Sequence, residues 1–368
     1  MKTVIQFIHE LGDGGGSSIV KDYALCLKND GYHVVVLVVF PELTSVNYKI
    51  IREAGIEIMA VFENRSLLHR IQNIFFATSY ISKKIKNLLM EYHPIALHAH
   101  LQVLTYLKPC SHELKGVNLI YTCHSTPKRY FTGKYASEFD SAQYLIIHND
   151  LQLIALHPEM KETLQAMFAV NNVIVVNNGI DLDRFISAHP DRTKMRKNLG
   201  IPKDSFVVGH IGRFSKVKNH DLIVNIFNDL CKIQKNAFLL LIGTGELRHQ
   251  IETSLREKGL SDKCLILTHR TDVPELLKLM DIFLFPSVYE GLGIVLIEAQ
   301  VAHLPCVISD TIPTQSIISN YVSRVSLNAP IKEWCRELLK EFDKDFVGDS
   351  SAFNIKDVVK KVEYLYER

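Results

Sequence analysis

Two carboxylates share the stretch "PSVYEGLGIVLIEAQ", residues 286–300, with seven residues between Glu290 and Glu298. Glu290 adjoins the glycines of "GLG", and Glu298 interrupts the apolar run "IVLIEA". A helix starting near Gly293 puts Ile294 and Ile297 close to Glu298. An ionised carboxylate in that company must be paired, hydrogen-bonded or at a wet edge. A solvent stripe that happens to include Glu298 is the plain alternative. Glu290 weighs against it, because it stands at the mouth of the same helix. Glycines there admit a ligand to the backbone, and free N–H groups suit an anion. At the helical rise the two carboxylates would be about 12 Å apart. A diphosphate between two sugar rings spans a similar length. Each carboxylate could accept hydroxyl hydrogen bonds while the helix N-terminus faces phosphate.

A second cluster is "GRFSKVKNHD", where Arg213, Lys216 and Lys218 flank a strand-to-helix turn. Cations at a helix N-terminus oppose the macrodipole, so they make sense there if an external anion joins them. Arg213 and Lys218 are the candidates for such a phosphate clamp. Lys216 reads as an ordinary surface lysine. A third cluster, "GDGGGSS", follows a strand and opens a helix. Its glycines permit close approach to a ligand, and Ser17 or Ser18 could cap the helix. It is not a dinucleotide fingerprint, since G-x-G-x-x-G from Gly14 requires glycine where Ile19 stands. A tight turn alone would also explain the glycines. His98, His100 and His124 fall at strand ends. Of these His124 is the best candidate, because "STP" after it marks an abrupt turn; satisfied structural histidines are the plain alternative. No metal-ligand spacing recurs, so neither metal nor cofactor is expected.

Composition narrows the class. Apolar residues make up 47% and charged residues 22%, an ordinary globular mix. A net charge of +2 lacks the basicity of a nucleic-acid binder. The seven cysteines are scattered and never spaced C-x-x-C, which argues for a reducing compartment over a disulfide framework or zinc site. The N-terminus does not read as a signal peptide, and no apolar run reaches the ~18 residues of a membrane span. A cytoplasmic protein is expected.

The elements that must hold these residues alternate strand and helix. "TVIQFIH", "HVVVLVVF", "ALHAH", "NLIYTCH" and "YLIIHN" read as strands of a first series closed by "VIVVNNGID". The pattern restarts with "FVVGHIGRF", "AFLLLIGTG", "CLILTH", "IFLFPS" and "PCVISD". Runs this apolar are buried on both faces, as in parallel sheets. The expected fold class is α/β, with two doubly wound parallel-sheet domains facing a cleft at the carboxyl ends of their strands. A length of 368 residues suits two domains. We place them at 1–186 and 187–345, with 346–368 a helix returning toward the first. The linker is expected in "SAHPDRTKMRKNLGIPKDS".

Taken together these stretches resemble the retaining nucleotide-sugar glycosyltransferases of the GT-B fold, family four. "PSVYEGLGIVLIEAQVAHLPCVIS" matches the E-x7-E signature, and "GRFSKVKNHD", "LIGTGELR", "VPELLKLMDIFLFPS", "VVNNGIDLDRF" and "HAH…CHST" match its other motifs. "VISDTIPTQ" further resembles enzymes of bacterial capsular or exopolysaccharide synthesis. The resemblance implies that Glu298 hydrogen-bonds the donor ribose and Glu290 the hydroxyls of the transferred sugar. It implies that Arg213 and Lys218 neutralise the leaving diphosphate and that the backbone of Gly291, Leu292 and Gly293 lines the sugar-phosphate. Gly15 and Gly16 would approach the diphosphate from the first domain. His124 would sit near the donor sugar, and Gly243 and Gly245 in a loop near the nucleotide. Three positions depart from the pattern: Ser125 where aspartate is frequent, Thr268 where glycine is, and His303 where a small residue is.

The expected reaction is therefore transfer of a hexosyl group from a UDP- or GDP-linked donor, with retention and without metal. The expected acceptor is a sugar or lipid-linked glycan. A sugar-nucleotide epimerase or hydrolase of the same fold, or a non-catalytic partner subunit, is the alternative. Residues 65–90 carry Arg65, Arg70, Lys83, Lys84 and Lys86, no acidic residue, and many apolar ones. This could be a surface resting on anionic lipid at the inner face of the membrane. Ordinary helices packed on the sheet are the preferred reading.

Overall fold

The computed structural model describes residues 1–63, 67–342 and 347–368, with side chains throughout except at 67–77. Two compact units result, Met1–Ile180 with Ala352–Arg368, and Asp181–Ser351. The sequence reading sets those breaks at 186/187 and 345/346.

The first unit holds seven strands: β1 (Thr3–Glu10), β2 (His33–Phe40), β3 (Glu57–Ala60), β4 (Ala96–His100), β5 (Asn118–Thr122), β6 (Gln152–Ala155) and β7 (Ile174–Val175). All pair in parallel, in the order β3-β2-β1-β4-β5-β6-β7. The second holds six: β8 (Phe206–Ile211), β9 (Ala237–Ile242), β10 (Cys264–Leu267), β11 (Ile282–Phe285), β12 (Cys306–Ser309) and β13 (Val322–Val325). These are also parallel, in the order β10-β9-β8-β11-β12-β13. The runs "VVVLVV" and "FLLLI" are buried at every position, because helices cover both faces of each sheet. Each sheet reverses its winding once, between β1 and β4 and between β8 and β11. At such a point the two following loops diverge and leave a crevice at the carboxyl edge.

Two expectations need correction. "YLIIHN" is not a strand; it ends the helix Ala136–Asn149. Glu138, Ala142 and Leu145 are buried along that helix while Ile147 is exposed, a helical spacing that a short apolar run conceals. Asp150 then closes the helix in the left-handed conformation, and β6 follows. The polar stretch 187–205 is not a free linker. It contains the helix Arg192–Asn198. Its Arg196 is buried and donates to the carbonyls of Lys203, Ser205 and Leu279 and to Asp281 Oδ2 at 2.9 Å. Arg192 donates to the other oxygen of Asp281 at 2.7 Å.

The C-terminal helix Ile355–Tyr366 packs against the helix Gly15–Asn29 of the first unit. In the 65–90 stretch, Arg65 lies outside the described residues, as do the side chains of Leu67, Leu68, Arg70, Ile71, Ile74 and Phe75. Further along the same helix, Ile81, Ile85, Leu88 and Leu89 are buried, while Lys83 and Lys84 are exposed. Lys86 pairs with Glu113 at 3.1 Å. Among the described residues no helix is long and apolar enough to cross a membrane.

Removing Asp281 would strand the Arg196 guanidinium in a buried site. Asp281→Ala should destabilise the second unit by about 3 kcal/mol, the size of a broken buried pair. Urea unfolding followed by Trp334 fluorescence measures it, and an unchanged midpoint would refute the role.

Candidate functional site

The strand order puts β8 beside β11, so the turns after them start from adjacent positions although their residues are far apart in sequence. Lys218 comes from the first turn and Glu290 from the second. Lys218 Nζ donates to Glu290 Oε1 at 2.6 Å, and the two side chains are 16% and 13% exposed. The ammonium also lies 4.7 Å from the centre of the Phe285 ring, the last residue of β11. Val288 N–H donates to Val217 O at 2.8 Å, tying the two turns together by their backbones. A pair set this deep gains from a ring on one side and loses hydration on both, so its net worth to stability is small. What it achieves is to hold a cation and an anion in place at the reversal point.

Behind Lys218 the chain is locked by the next loop. Phe214 N–H donates to Thr244 O at 2.8 Å, and Leu247 N–H to Phe214 O at 3.0 Å. A Cβ on Gly243 would lie 2.0 Å from Gly212 O, and one on Gly245 2.4 Å from Phe214 O. These two glycines therefore let the loops after β8 and β9 close on each other. His210 and His220 fill the space beneath, their rings 4.9 Å apart. Burial holds His210 well below the usual imidazole range, as does the nearby His220. Burial, followed by the Lys218 charge, lowers His220 to about 4.

On the β11 side, Gly291, Leu292 and Gly293 are buried and lead into the helix Ile294–Val301. Gly293 stands at φ 71°, which a side chain would strain, and no side chain caps the helix. Glu298 is half-buried on that helix. Because the helix starts only at Ile294, Glu290 belongs to the preceding turn, and a straight helical rise does not measure its separation from Glu298. Gln300 is the residue that sequence reasoning missed here. It is fully buried; its amide donates to Leu296 O and Ser316 O, and its oxygen accepts from Ile318 N–H, Ser319 N–H and Ser319 Oγ. It thus fixes the segment after β12 against the helix. A polar side chain two residues after Glu298 in an apolar run was its only signal.

Arg213 is not drawn into this group. It is largely exposed and pairs with Glu246 at 3.3 Å. Lys216 is exposed as well.

In the first unit, the helix Gly15–Asn29 begins after Gly14 with no side-chain cap. Ser17, expected as a possible cap, donates instead to Glu10 O at 3.2 Å. Gly15 is exposed, and a Cβ there would meet nothing within 4 Å. A Cβ on Gly16 would touch the Leu101 side chain at 3.3 Å. The first turn of this helix thus offers its N–H groups at an open place. The histidines form a set with Gln6 and Tyr366, in which His98 and His100 are fully buried and His124 is half-buried. His100 Nδ1 lies 2.9 Å from His124 Nε2, and His100 Nε2 lies 2.8 Å from Gln6 Oε1. His98 bridges Tyr366 and Thr122, at 2.7 Å to each hydroxyl. Burial lowers all three histidines, His124 to about 4. Among the described residues no group of three or more His, Cys, Asp or Glu is arranged to hold a metal ion.

These shifts set a pH dependence. The folded values of His124 and His220 lie below the unfolded value of about 6.5, so the unfolded chain binds more protons between the two. Stability is then full above about pH 6.5 and falls as the pH drops toward 4. The thermal midpoint should be lower at pH 5 than at pH 7 by calorimetry. A midpoint flat across that window would contradict the neutral buried imidazoles.

Comparison with known proteins agrees with this architecture. Residues 13–184 match the model of Glycosyltransferase Family 4, and residues 191–366 that of Glycosyl transferases group 1. EpsF of Bacillus subtilis (strain 168), assigned as a glycosyltransferase, is 32% identical over 266 residues, 70% of this chain and 69% of that one. The UDP-Gal:α-D-GlcNAc-diphosphoundecaprenol α-1,3-galactosyltransferase of Escherichia coli is 28% identical over 231 residues, 58% of this chain and 59% of that one. The crystal structure of Anabaena HepE in complex with UDP and glucose shares the fold, with a TM-score of 0.76 over 100% of both chains at 14% identity. The paired parallel sheets, the matched halves and the EpsF relative place the chain among the family-four glycosyltransferases of the GT-B fold.

Proposed function

We propose that this glycosyltransferase moves a hexosyl group from a UDP- or GDP-linked donor to a sugar or lipid-linked glycan, with retention at the anomeric carbon and without metal. The observation that carries the reading is the Lys218–Glu290 pair at the β8/β11 reversal, beside the uncapped helix after Gly293. Cleaving a glycosyl–phosphate bond leaves positive character on the sugar ring and places a growing negative charge on the diphosphate. A fixed ammonium and a helix N-terminus answer that charge without reorganising, which is the largest catalytic effect expected. Lys218 takes the phosphate; Glu290, released from it, accepts hydroxyls of the transferred sugar. Glu298 accepts the ribose hydroxyls, and the backbone of Gly291, Leu292 and Gly293 lines the sugar-phosphate. Gly243 and Gly245 serve the nucleotide through the loop they keep closed. Arg213 joins Lys218 by leaving Glu246, a surface pair of small worth and so easily exchanged. From the first unit, Gly15 and Gly16 offer backbone N–H groups to the diphosphate, and His124 meets the donor sugar.

No side chain stands out as a covalent nucleophile. The reading is therefore same-face attack by the acceptor hydroxyl, whose proton passes to the departing phosphate. The diphosphoundecaprenol in the E. coli enzyme's name favours a lipid-linked acceptor, and with it cell-surface polysaccharide as the product class. Such an acceptor would bring the enzyme to the inner face of the membrane. Lys83 and Lys84 supply charge for that contact, while the buried Ile81, Ile85, Leu88 and Leu89 supply no apolar face.

Lys218→Ala and Arg213→Ala should each lower kcat/KM by roughly two orders of magnitude, the cost of one lost charge-stabilising donor. Steady-state kinetics with a donor found by a thermal-shift panel measures this, and near-normal turnover in both variants would sink the clamp. Excess chelator should leave the rate unchanged, and NMR of the product should show the donor's anomeric configuration. Strict metal dependence or an inverted product would overturn the mechanism.

A further inference from the structure

His124 Nδ1 is buried and takes no hydrogen bond, at the tip of an otherwise paired set of side chains. The set runs Tyr366 hydroxyl, Gln6, His100, His124. Gln6 Nε2 donates to the Tyr366 hydroxyl at 2.9 Å, and the opposite end of the same amide, Oε1, faces His100 Nε2 at 2.8 Å. His100 Nδ1 faces His124 Nε2 at 2.9 Å. All the members lie in the first unit. Tyr23 packs on the rings of His98 and His100, and the His100 and His124 rings stack with centroids 5.1 Å apart.

Each imidazole, when neutral, has one donor and one acceptor nitrogen. An amide oxygen only accepts, so His100 Nε2 carries the proton. His100 Nδ1 is then a lone pair, and His124 must donate to it from Nε2. That leaves His124 Nδ1 as a bare acceptor. Reversing the amide would reverse every bond along this branch and leave a buried N–H at His124 with no partner. An orphaned buried N–H is the rarer and costlier outcome. The hydroxyls of Tyr366 and Thr122 can turn to suit either sense, so the sense that leaves no buried N–H unpaired is the one in which Gln6 Oε1 accepts from His100.

We infer that Gln6 and Tyr366 are positioning residues. Acting through His100, they fix His124 as its Nε2–H tautomer and present Nδ1 as an acceptor for a hydroxyl donor. On the proposed function, that donor is a hydroxyl of the bound sugar. Gln6 and Tyr366 come from opposite ends of the chain, so the C-terminal helix is part of the device.

The test is a long-range 1H–15N spectrum of the full protein with 15N-labelled histidine, taken without substrate, with the His124 signals assigned by His124→Gln. The expected result is protonated Nε2 and bare Nδ1 at both His100 and His124. A protonated Nδ1 at His124 overturns the inference whatever the enzyme's activity. Gln6→Leu removes the acceptor that sets the polarity. His124 should then show a mixture of tautomers, and kcat should fall roughly tenfold, the worth of one neutral hydrogen bond. KM for the donor should stay within about twofold. A Gln6→Leu enzyme with unchanged tautomer and unchanged kcat also overturns it. Should that variant not fold, the wild-type spectrum alone decides. The expected tautomers in a protein that transfers no sugar would uphold the network and refute the proposed function instead.

Discussion

A lysine and a glutamate held 2.6 Å apart where a parallel sheet reverses its winding are the constraint on which the second unit's site depends. Neither charge is stable there alone. Lys218 without Glu290 is an ammonium against an aromatic ring; Glu290 without Lys218 is a carboxylate beside buried glycines. Each makes the other tolerable. An anion with adjoining hydroxyls can replace both partners at once, because it offers oxygen to the ammonium and donors to the carboxylate. A ligand with only one of these features would leave one charge unmatched.

The surrounding chain holds that pair rigid. The turns after β8 and β11 are joined by the Val288–Val217 backbone bond, and the turn after β8 is locked to the loop after β9 at two glycines that admit no Cβ. Below them two neutral histidines fill space without adding charge. On the far side Gln300 pins the segment following β12 to the helix that carries Glu298. In the first unit the same principle acts through an ordered chain of neutral donors and acceptors instead of an ion pair. Both sites sit at strand ends, where position is set by sheet register and small displacements cost most.

Much of this was legible in the residues. Parallel strands announce themselves as uninterrupted apolar runs, and β1, β2, β8 and β9 lie where those runs stand. The edge strands β3 and β13 were missed: "EIMA" is half-exposed and "VSRV" alternates with charge, so neither carries a buried-strand signature. "YLIIHN" misled because four apolar residues fit either period, and only the burial of one side of the helix resolves them. Candidate residues were legible by type, their partnerships less so. Lys218 and Glu290 are 72 positions apart, and His98 meets Tyr366 across 268. Such contacts are fixed by strand order, which no local pattern encodes. Arg213 shows the opposite limit: its place at the strand-to-helix turn suggested the clamp, and its side chain pairs with Glu246.

The most direct measurement is a crystal structure with a bound nucleotide-diphosphate sugar. The account requires that the Lys218 ammonium leave Glu290 for a diphosphate oxygen and that the freed carboxylate accept from sugar hydroxyls. A complex with the nucleotide bound elsewhere and the 2.6 Å pair still closed would contradict it.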